Sequence, residues 1–555
     1  MRKFFPVVAC LALLATVWGG DYVIPVLAPV SVMAQSADEV CVASTPSGRV
    51  RGLLRGDVCV YLGIPYATPP VGNLRWKPPQ PMAPWAPAAL NAIAARTCSQ
   101  ITAPSVPAGT LSGVEDCLLI NIWVPAQPRR ARMPVLVWLH TGAFQAANAA
   151  QPATDGARFA SEENVIIVAP NYRLGPFGFL AHSALTLQDP AHRSSGNYGL
   201  LDQRAALVWV RDHIAAFGGD PRNVTIDGTS AGSHSVSLQV VSRGSAGLFH
   251  RAIMQSGSAS FRWRDAAEAE AQGEQFARAL GCTNVATTPA CLRSKTRDEV
   301  LRALPIDQQK FVEPEAVQWG PIVDGVVVPD QPRELYRRGE FNRVPLIIGV
   351  NKDEGWIYAD RSFPEGLSAS DYAAVVTHEF GFDALAILDR YPAAQYPTPK
   401  DALARLTGDA EYVCEARRVA RFVRQAGVAV YFYSFEYKVE DVAPGRVIHG
   451  LESNLLFGNS FGAPSNHVLT AADLALFSSM SGYWRRFAET GSPSARGDTG
   501  RWPVFTLPAK FSISDRYLVL DSTVSEANHL RDLPCNFWER YFFRSLVGTV
   551  PASRP

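Results

Sequence analysis

The residues of this chain best suited to chemistry lie in one short run, FGGDPRNVTIDGTSAG, from Phe217 to Gly232. The run reads as a loop, a short strand through Val224, Thr225 and Ile226, and then a Ser in a GxSxG turn that enters a helix-compatible stretch. Small residues at Gly228 and Gly232 let the chain reverse sharply, which holds the Ser230 hydroxyl clear of the backbone above a sheet. GxSxG alone is a weak signal; the strand before it and the helix after it are the context the motif requires. The chemistry implied is covalent attack by Ser230. A Ser hydroxyl is a poor nucleophile at neutral pH, so it needs a base to remove its proton and an acid partner to orient that base.

The elements that must hold such a Ser are legible as continuous apolar runs. Val135 to Leu139, Val165 to Val168, Pro345 to Val350 and Val428 to Tyr433 read as strands buried on both faces. They alternate with helical patterns such as Gln203 to His213, so the fold class is α/β with a large, mostly parallel sheet. Short apolar alternations from Val40 to Tyr66 suggest an antiparallel entry to that sheet, followed by an irregular, Pro-rich stretch from Pro69 to Pro87. The segments Asp265 to Leu304 and Ser368 to Arg424 look helical and are expected to cover the sheet. No linker divides the chain, and one sheet of this class can occupy residues 35–555 as a single domain.

Several motifs beyond the Ser segment form an ordered series: EDCLLINIWVP from Glu115, GIPYATPPVGNLRW from Gly63, NYRLGPFGFL from Asn171, GNYGLLDQRAALVWV from Gly196, RAIMQSGS from Arg251 and CNFWERY from Cys535. Together they resemble the type-B carboxylesterase family, which includes carboxylesterases, cholinesterases and bacterial p-nitrobenzyl esterases, over roughly Val40 to Phe543. Leu119 departs from that pattern, where a Tyr or Thr is usual. The resemblance implies an α/β-hydrolase fold and a cofactor-free ester hydrolase with catalytic groups in the order Ser, Glu, His. It assigns the Glu to the DEG of GVNKDEGWIY, Glu354, with Asp353 as the adjacent competitor. It assigns the His to GRVIHGLESNLLFG, His449, while His234 is expected to be carried away from the turn by its helix. The oxyanion-loop position falls on His140 to Phe144, giving the backbone amides of Gly142, Ala143 and Ala231 as donors. Thr141 stands where the family usually has Gly; a β-branched residue resists positive φ, so either that φ is not needed or the loop differs in shape.

The same resemblance places Trp263 at an acyl-pocket position, puts Ser256 near His449, and makes Arg75 and Glu115 a structural ion pair. Trp356 and Tyr358, just after Glu354, are candidates to line the substrate pocket. Thr229 replaces the family's usual Glu before the Ser, which favours uncharged or anionic ligands over cations. The loop between Cys98 and Cys117 has no aromatic residue where cholinesterases carry a Trp, which argues against a choline site. Neutral carboxylic esters are therefore the expected substrates. Bulky, aromatic or polymeric esters are the alternative, and a non-catalytic binding protein on the same fold is the third reading.

The N-terminus carries Arg2 and Lys3, an apolar run from Phe4 to Trp18, and Val32-Met33-Ala34 before Gln35, which reads as a signal peptide over residues 1–34. The apolar run stops at Gly19, Gly20 and Asp21, short of the roughly 20 residues a spanning helix needs. The protein is thus expected to be exported, periplasmic or extracellular, without a membrane anchor. Without Arg2, Lys3 and Asp21 the 52 basic and 51 acidic residues balance, and no basic run with interleaved aromatics points to nucleic acid. Eight cysteines remain after cleavage, an even count that in an exported chain suggests disulfides, with 105 possible pairings. Family positions pair Cys98 with Cys117, Cys282 with Cys291 and Cys414 with Cys535. Cys41 and Cys59 flank STPSGRVRGLLRGD, which reads as a β-meander, and either form a fourth bridge or stay as buried thiols. CxxC pairs and His-rich spacing are lacking, so no metal site is expected.

Overall fold

The computed structural model describes residues 41–547, except 86–88, 102–108, 191, 305–317, 462–464, 466, 496–500 and 508–514. The proposed signal peptide lies outside the described residues. Eleven strands form the main sheet: β1 (Leu53–Arg55), β2 (Val58–Pro65), β3 (Leu119–Pro125), β4 (Met133–Leu139), β5 (Ile166–Pro170), β6 (Gly219–Thr229), β7 (Arg251–Gln255), β8 (Leu346–Asn351), β9 (Val430–Phe435), β10 (Tyr517–Leu520) and β11 (Ser525–Ala527). Their spatial order is β11-β10-β9-β8-β7-β6-β4-β5-β3-β2-β1. The seven strands from β10 to β5 run parallel, and antiparallel pairs close both edges. Every residue of β4, β5 and β8 is buried, as their uninterrupted Val, Ile and Leu runs require of strands covered on both faces.

The four anticipated apolar runs became β4, β5, β8 and β9, shifted by one or two residues at their ends, and the helix anticipated from Gln203 begins earlier, at Tyr198. Asp265 to Leu304 holds three helices. Two of these, Ala266–Ala279 and Arg297–Arg302, start with capping boxes in which Asp265 and Thr296 each accept from the backbone N–H three residues on. Ser368 to Arg424 is mainly helical, in the helices Ala369–Phe380, Ala384–Arg390, Pro399–Gly408 and Cys414–Gln425, the last two joined by a π-turn over Asp409–Val413.

Four disulfides join Cys41 to Cys59, Cys98 to Cys117, Cys282 to Cys291 and Cys414 to Cys535. The first staples the small N-terminal meander to β2; the last ties the helix after the π-turn to the C-terminal helix. Among the described residues, no helix is long and apolar enough to cross a membrane.

In a parallel sheet of this kind, ligands are bound beyond the carboxyl ends of the strands. The chain leaves β4 into residues 140–144, β6 into Ser230, β8 into Glu354 and β9 into the segment that reaches His449. Topology alone therefore brings all the candidate groups to one end of the sheet.

Candidate active site

Ser230 links β6 to helix α1 (Ala231–Val241) with φ 57° and ψ −124°, a left-handed conformation that costs a non-Gly residue of order 1–3 kcal/mol. Two contacts impose it. The Ser230 N–H donates to Gln255 O at the end of β7 (3.0 Å), and Ser230 O accepts from the His234 N–H (2.8 Å). The flanking glycines are needed for proximity rather than for φ, since neither has a positive φ. A Cβ on Gly228 would strike Gly232, and one on Gly232 would collide with the carbonyl oxygen of Leu139. The start of α1 is thus pressed directly onto the end of β4, which fixes Ser230 relative to the loop that follows β4.

That loop carries the positive φ values at Gly142 (110°), Ala143 (52°) and Phe144 (60°), and Thr141 has none. Thr141 therefore fits a loop in which the left-handed residues come after it. The fold-back is closed by Gln145 and Ala146 N–H donating to Gly142 O (2.9 and 3.0 Å) and by Gly175 N–H donating to Phe144 O (2.8 Å). Behind it the buried His140 donates through Nδ1 to Thr141 O (2.8 Å) and stacks on Tyr172 at 4.3 Å. Burial lowers the His140 pKa to about 4, so the ring is neutral and acts as packing. Among the described residues, no acceptor is recorded for the amides of Gly142, Ala143 or Ala231. Three N–H groups are thereby left available near Ser230.

His449 and Glu354 meet across the end of the sheet: Nδ1–H of His449 donates to Glu354 Oε2 at 2.6 Å, with both side chains buried. Glu354 Oε1 accepts from the Asn351 N–H (2.6 Å). Asp353 points elsewhere, accepting from the Val447 N–H (3.0 Å) and facing Arg405 (3.6 Å). His449 Nε2 is buried and, among the described residues, has no hydrogen-bond partner. The helix that follows, Leu451–Phe457, is tied to the residue before Ser230, because Ser453 Oγ donates to Thr229 Oγ1 (2.8 Å). A Cβ on Gly450 would lie 3.7 Å from Thr229 Cγ2. His449 is therefore held beside the Ser230 turn, with one ring nitrogen committed to a carboxylate and the other free.

Sequence reasoning missed one buried carboxylate of this region, that of Glu452. Glu452, fully buried, accepts from Asn351 Nδ2 (2.5 Å) and from Ser256 Oγ (3.3 Å). Asn351 Nδ2 also donates to Ile448 O (2.8 Å), so one amide joins the His449 loop to β8. Ser256 acts on this region through Glu452 rather than on His449 itself. Burial, and the charge of Glu354, raise Glu452 to about 7. On β6, Asp227 is also buried and raised to about 7, holding Gln255 Nε2 (2.8 Å) and Trp484 Nε1 (3.1 Å).

Of the aromatic candidates, two flank the site and one does not. Trp263 is buried, 6.1 Å from Phe144 and 4.6 Å from Phe261, so it walls the side of the oxyanion loop. Tyr358 packs 5.6 Å from the His449 ring, and its hydroxyl meets that of Tyr412 at 2.6 Å. Trp356 instead turns behind Glu354, where its ring lies under the Arg446 guanidinium at 4.0 Å. Residues 356 and 358 lie on different sides of the helix Trp356–Ser362, and only 358 faces His449. His234, expected to be carried off by its helix, stays at the base of the turn, 5.8 Å from Trp263. Burial, and then the His449 charge, lower its pKa to about 3, so it too is a neutral packing group. Arg75 and Glu115 form the anticipated ion pair at 2.5 Å, and a second buried pair joins Arg173 to Asp202 at 2.7 Å.

A Ser at a strained strand-to-helix turn, a His–carboxylate pair and a loop of free amides at the carboxyl ends of a mostly parallel sheet define an α/β-hydrolase. Residues 39–538 match the model of the carboxylesterase family. The chain is also 35% identical to a cholinesterase of Mus musculus, in a comparison covering 92% of this chain and 88% of that protein. This chain belongs to the carboxylesterase family and is a carboxylic ester hydrolase.

Proposed function

We propose that this is an exported, cofactor-free serine esterase that hydrolyses neutral carboxylic esters through an acyl-enzyme on Ser230, with residues 35–555 as one hydrolase domain. The observation that carries the reading is the Glu354–His449 pair at 2.6 Å with Nε2 of His449 uncommitted beside Thr229 and Ser230. His449 Nε2 takes the Ser230 proton as Oγ attacks the ester carbonyl, and Glu354 stabilises the imidazolium. The amides of Gly142, Ala143 and Ala231 hold the oxyanion, each worth roughly 3–4 kcal/mol of barrier. His449 then gives the proton to the leaving alkoxide, which departs as alcohol and leaves the acyl group on Ser230. A water deprotonated by the same nitrogen attacks the acyl carbon and releases the carboxylic acid.

Neutral substrates are supported by Thr229, which hydrogen-bonds to Ser453 where a charged neighbour of Ser230 would attract cations. Export is supported by the N-terminal sequence and by four disulfides, which persist in oxidising compartments. The test is hydrolysis of a p-nitrophenyl ester series from acetate to a long-chain acyl by the parent and by Ser230→Ala. The parent is expected to turn over, with a chain-length profile that reports the room beside Trp263, and the variant to lose about 10⁴-fold or more in kcat. Near-parental activity in Ser230→Ala overturns the assignment. An inactive parent points instead to a binding protein on this fold.

A further inference from the structure

A cavity of about 240 Å³ lies beside Glu354, and the reaction above makes no use of it. Its walls come from the turn after β8, from the helix Pro399–Gly408 with the π-turn, and from Arg446. Tyr396 supplies flat apolar surface, Trp356 carries the Arg446 guanidinium on its ring, and Lys352, Arg405 and Arg446 are the cations, of which Lys352 is already paired with Glu436 (2.7 Å). The carboxylates that line it are mostly engaged already. Glu354 accepts from His449 and Asn351, and Asp353 from Val447. Asp401 accepts from Thr398 Oγ1 (2.7 Å) and from Arg446.

The hydrogen-bonding capacity left over is on the donor side. Arg446 spends Nη2 on Asp401, and Arg405 spends Nη1 on Lys352 O (3.3 Å) while Nη2 faces Asp353. No acceptor is recorded among the described residues for the other N–H groups of either guanidinium. Forked donors beside aromatic surface suit a planar anion. We propose that this cavity is a second ligand site, separate from the Ser230 site, for a small aromatic carboxylate held by Arg405 and Arg446 against Tyr396.

One group in the cavity needs a proton for this to work. Asp409, 1% exposed, accepts from the Tyr391 hydroxyl through Oδ2 (3.2 Å), while its Oδ1 has no hydrogen bond and lies 3.6 Å from Arg531 Nε. An ionised Asp409 repels a carboxylate in the cavity, and protonation removes that charge. Burial raises Asp409 to about 6, against the lowering effect of Arg405, Arg390 and Arg417. Tyr391, Tyr396 and Arg531 complete the set of groups that face it. The ligand therefore binds together with a proton, and affinity rises as pH falls. The site also touches the triad's supports. Asp409 opens the π-turn, Tyr412 of the same turn packs 4.8 Å from the His449 ring, and Gly408 and Gly355 are pressed together beneath Glu354. Occupancy is expected to change kcat and leave KM unaltered.

The experiment is calorimetric titration of the full chain with sodium benzoate, on the parent and on Ser230→Ala, followed by Arg405→Gln, Arg446→Gln and Asp409→Asn. One equivalent is expected to bind to both the parent and Ser230→Ala, which separates this site from the proposal about Ser230. Each Arg variant is expected to weaken binding about tenfold, and Arg405→Gln carries the test if loss of the Asp401 pair unfolds Arg446→Gln. Between pH 7.5 and 5.5 affinity is expected to rise about twentyfold in the parent and to stay constant in Asp409→Asn. Absence of binding overturns the proposal. Binding that survives both Arg substitutions, or tighter binding of benzamidine than of benzoate lost with the same substitutions, overturns it as well.

Discussion

The Ser230 half of the site is built from backbone packed on backbone, whereas the His449 half hangs on side chains. Around Ser230 the chain is locked by Gly232 against Leu139, by the Gly228 contact with Gly232, and by the amide bond to Gln255. Around His449 the supports are Glu354, Asn351, Glu452 and the Ser453 hydroxyl, four side chains from two segments a hundred residues apart. The first kind of support has no intermediate states: a single methyl group does not fit. The second is a polar network in which each member can be replaced and the loss read as a change in charge, proton affinity or orientation.

The largest effect comes from the smallest change. Gly232→Ala puts a Cβ into the Leu139 carbonyl, and neither backbone can yield without moving β4 or α1, so a loss of about 3 kcal/mol or more of stability is expected together with loss of activity. Thermal unfolding beside an ester assay checks it, and a variant that melts and turns over like the parent breaks the comparison. Glu354→Gln comes next. An amide in place of the carboxylate can present N–H to His449 Nδ1 and select the tautomer with its proton on Nε2, so kcat is expected to fall by about 10³–10⁴ with little change in melting temperature. A large drop in stability with intact turnover would mean that the pair is structural.

The smallest effect sharpens the comparison through pH. Glu452 is raised from its ordinary value to about 7, so the native state binds its proton more tightly than the unfolded chain does. Its contribution is fully present below about pH 4.5 and is lost as pH rises toward 7. Glu452→Gln removes that titration and keeps an oxygen for Asn351 or Ser256. The stability of the variant relative to the parent is expected to improve by about 1–3 kcal/mol between pH 4.5 and 7.5, read by urea unfolding at each pH. A flat difference across that range would show that Glu452 is not titrating there.

Legibility in the sequence follows the same divide. β4, β5, β8 and β9 could be read because a strand buried on both faces must be continuously apolar, and the Ser230 turn because its glycines sit at fixed local spacing. Glu354 and His449 were legible only through their surrounding motifs, since nothing local in either segment says that 95 residues separate two contacting groups. Glu452 and the Ser453–Thr229 bond were not legible at all, because a buried carboxylate and a buried hydroxyl look in sequence like any exposed Glu or Ser on a short helix. Trp356 misled for a related reason. Proximity to Glu354 along the chain said it was near the site, while one helical turn decides which side of Glu354 it occupies, and Arg446 and Lys400 draw its ring away from His449.

The central claim, that Ser230 carries the acyl group, is tested most directly by mixing the enzyme with a p-nitrophenyl ester, quenching with acid within the first turnovers and digesting for mass spectrometry. The account predicts a burst of p-nitrophenol equal to one per active site and a single acyl adduct on the peptide containing Ser230. A burst with the adduct elsewhere, or steady turnover with no adduct when deacylation is slowed at low pH, would contradict it.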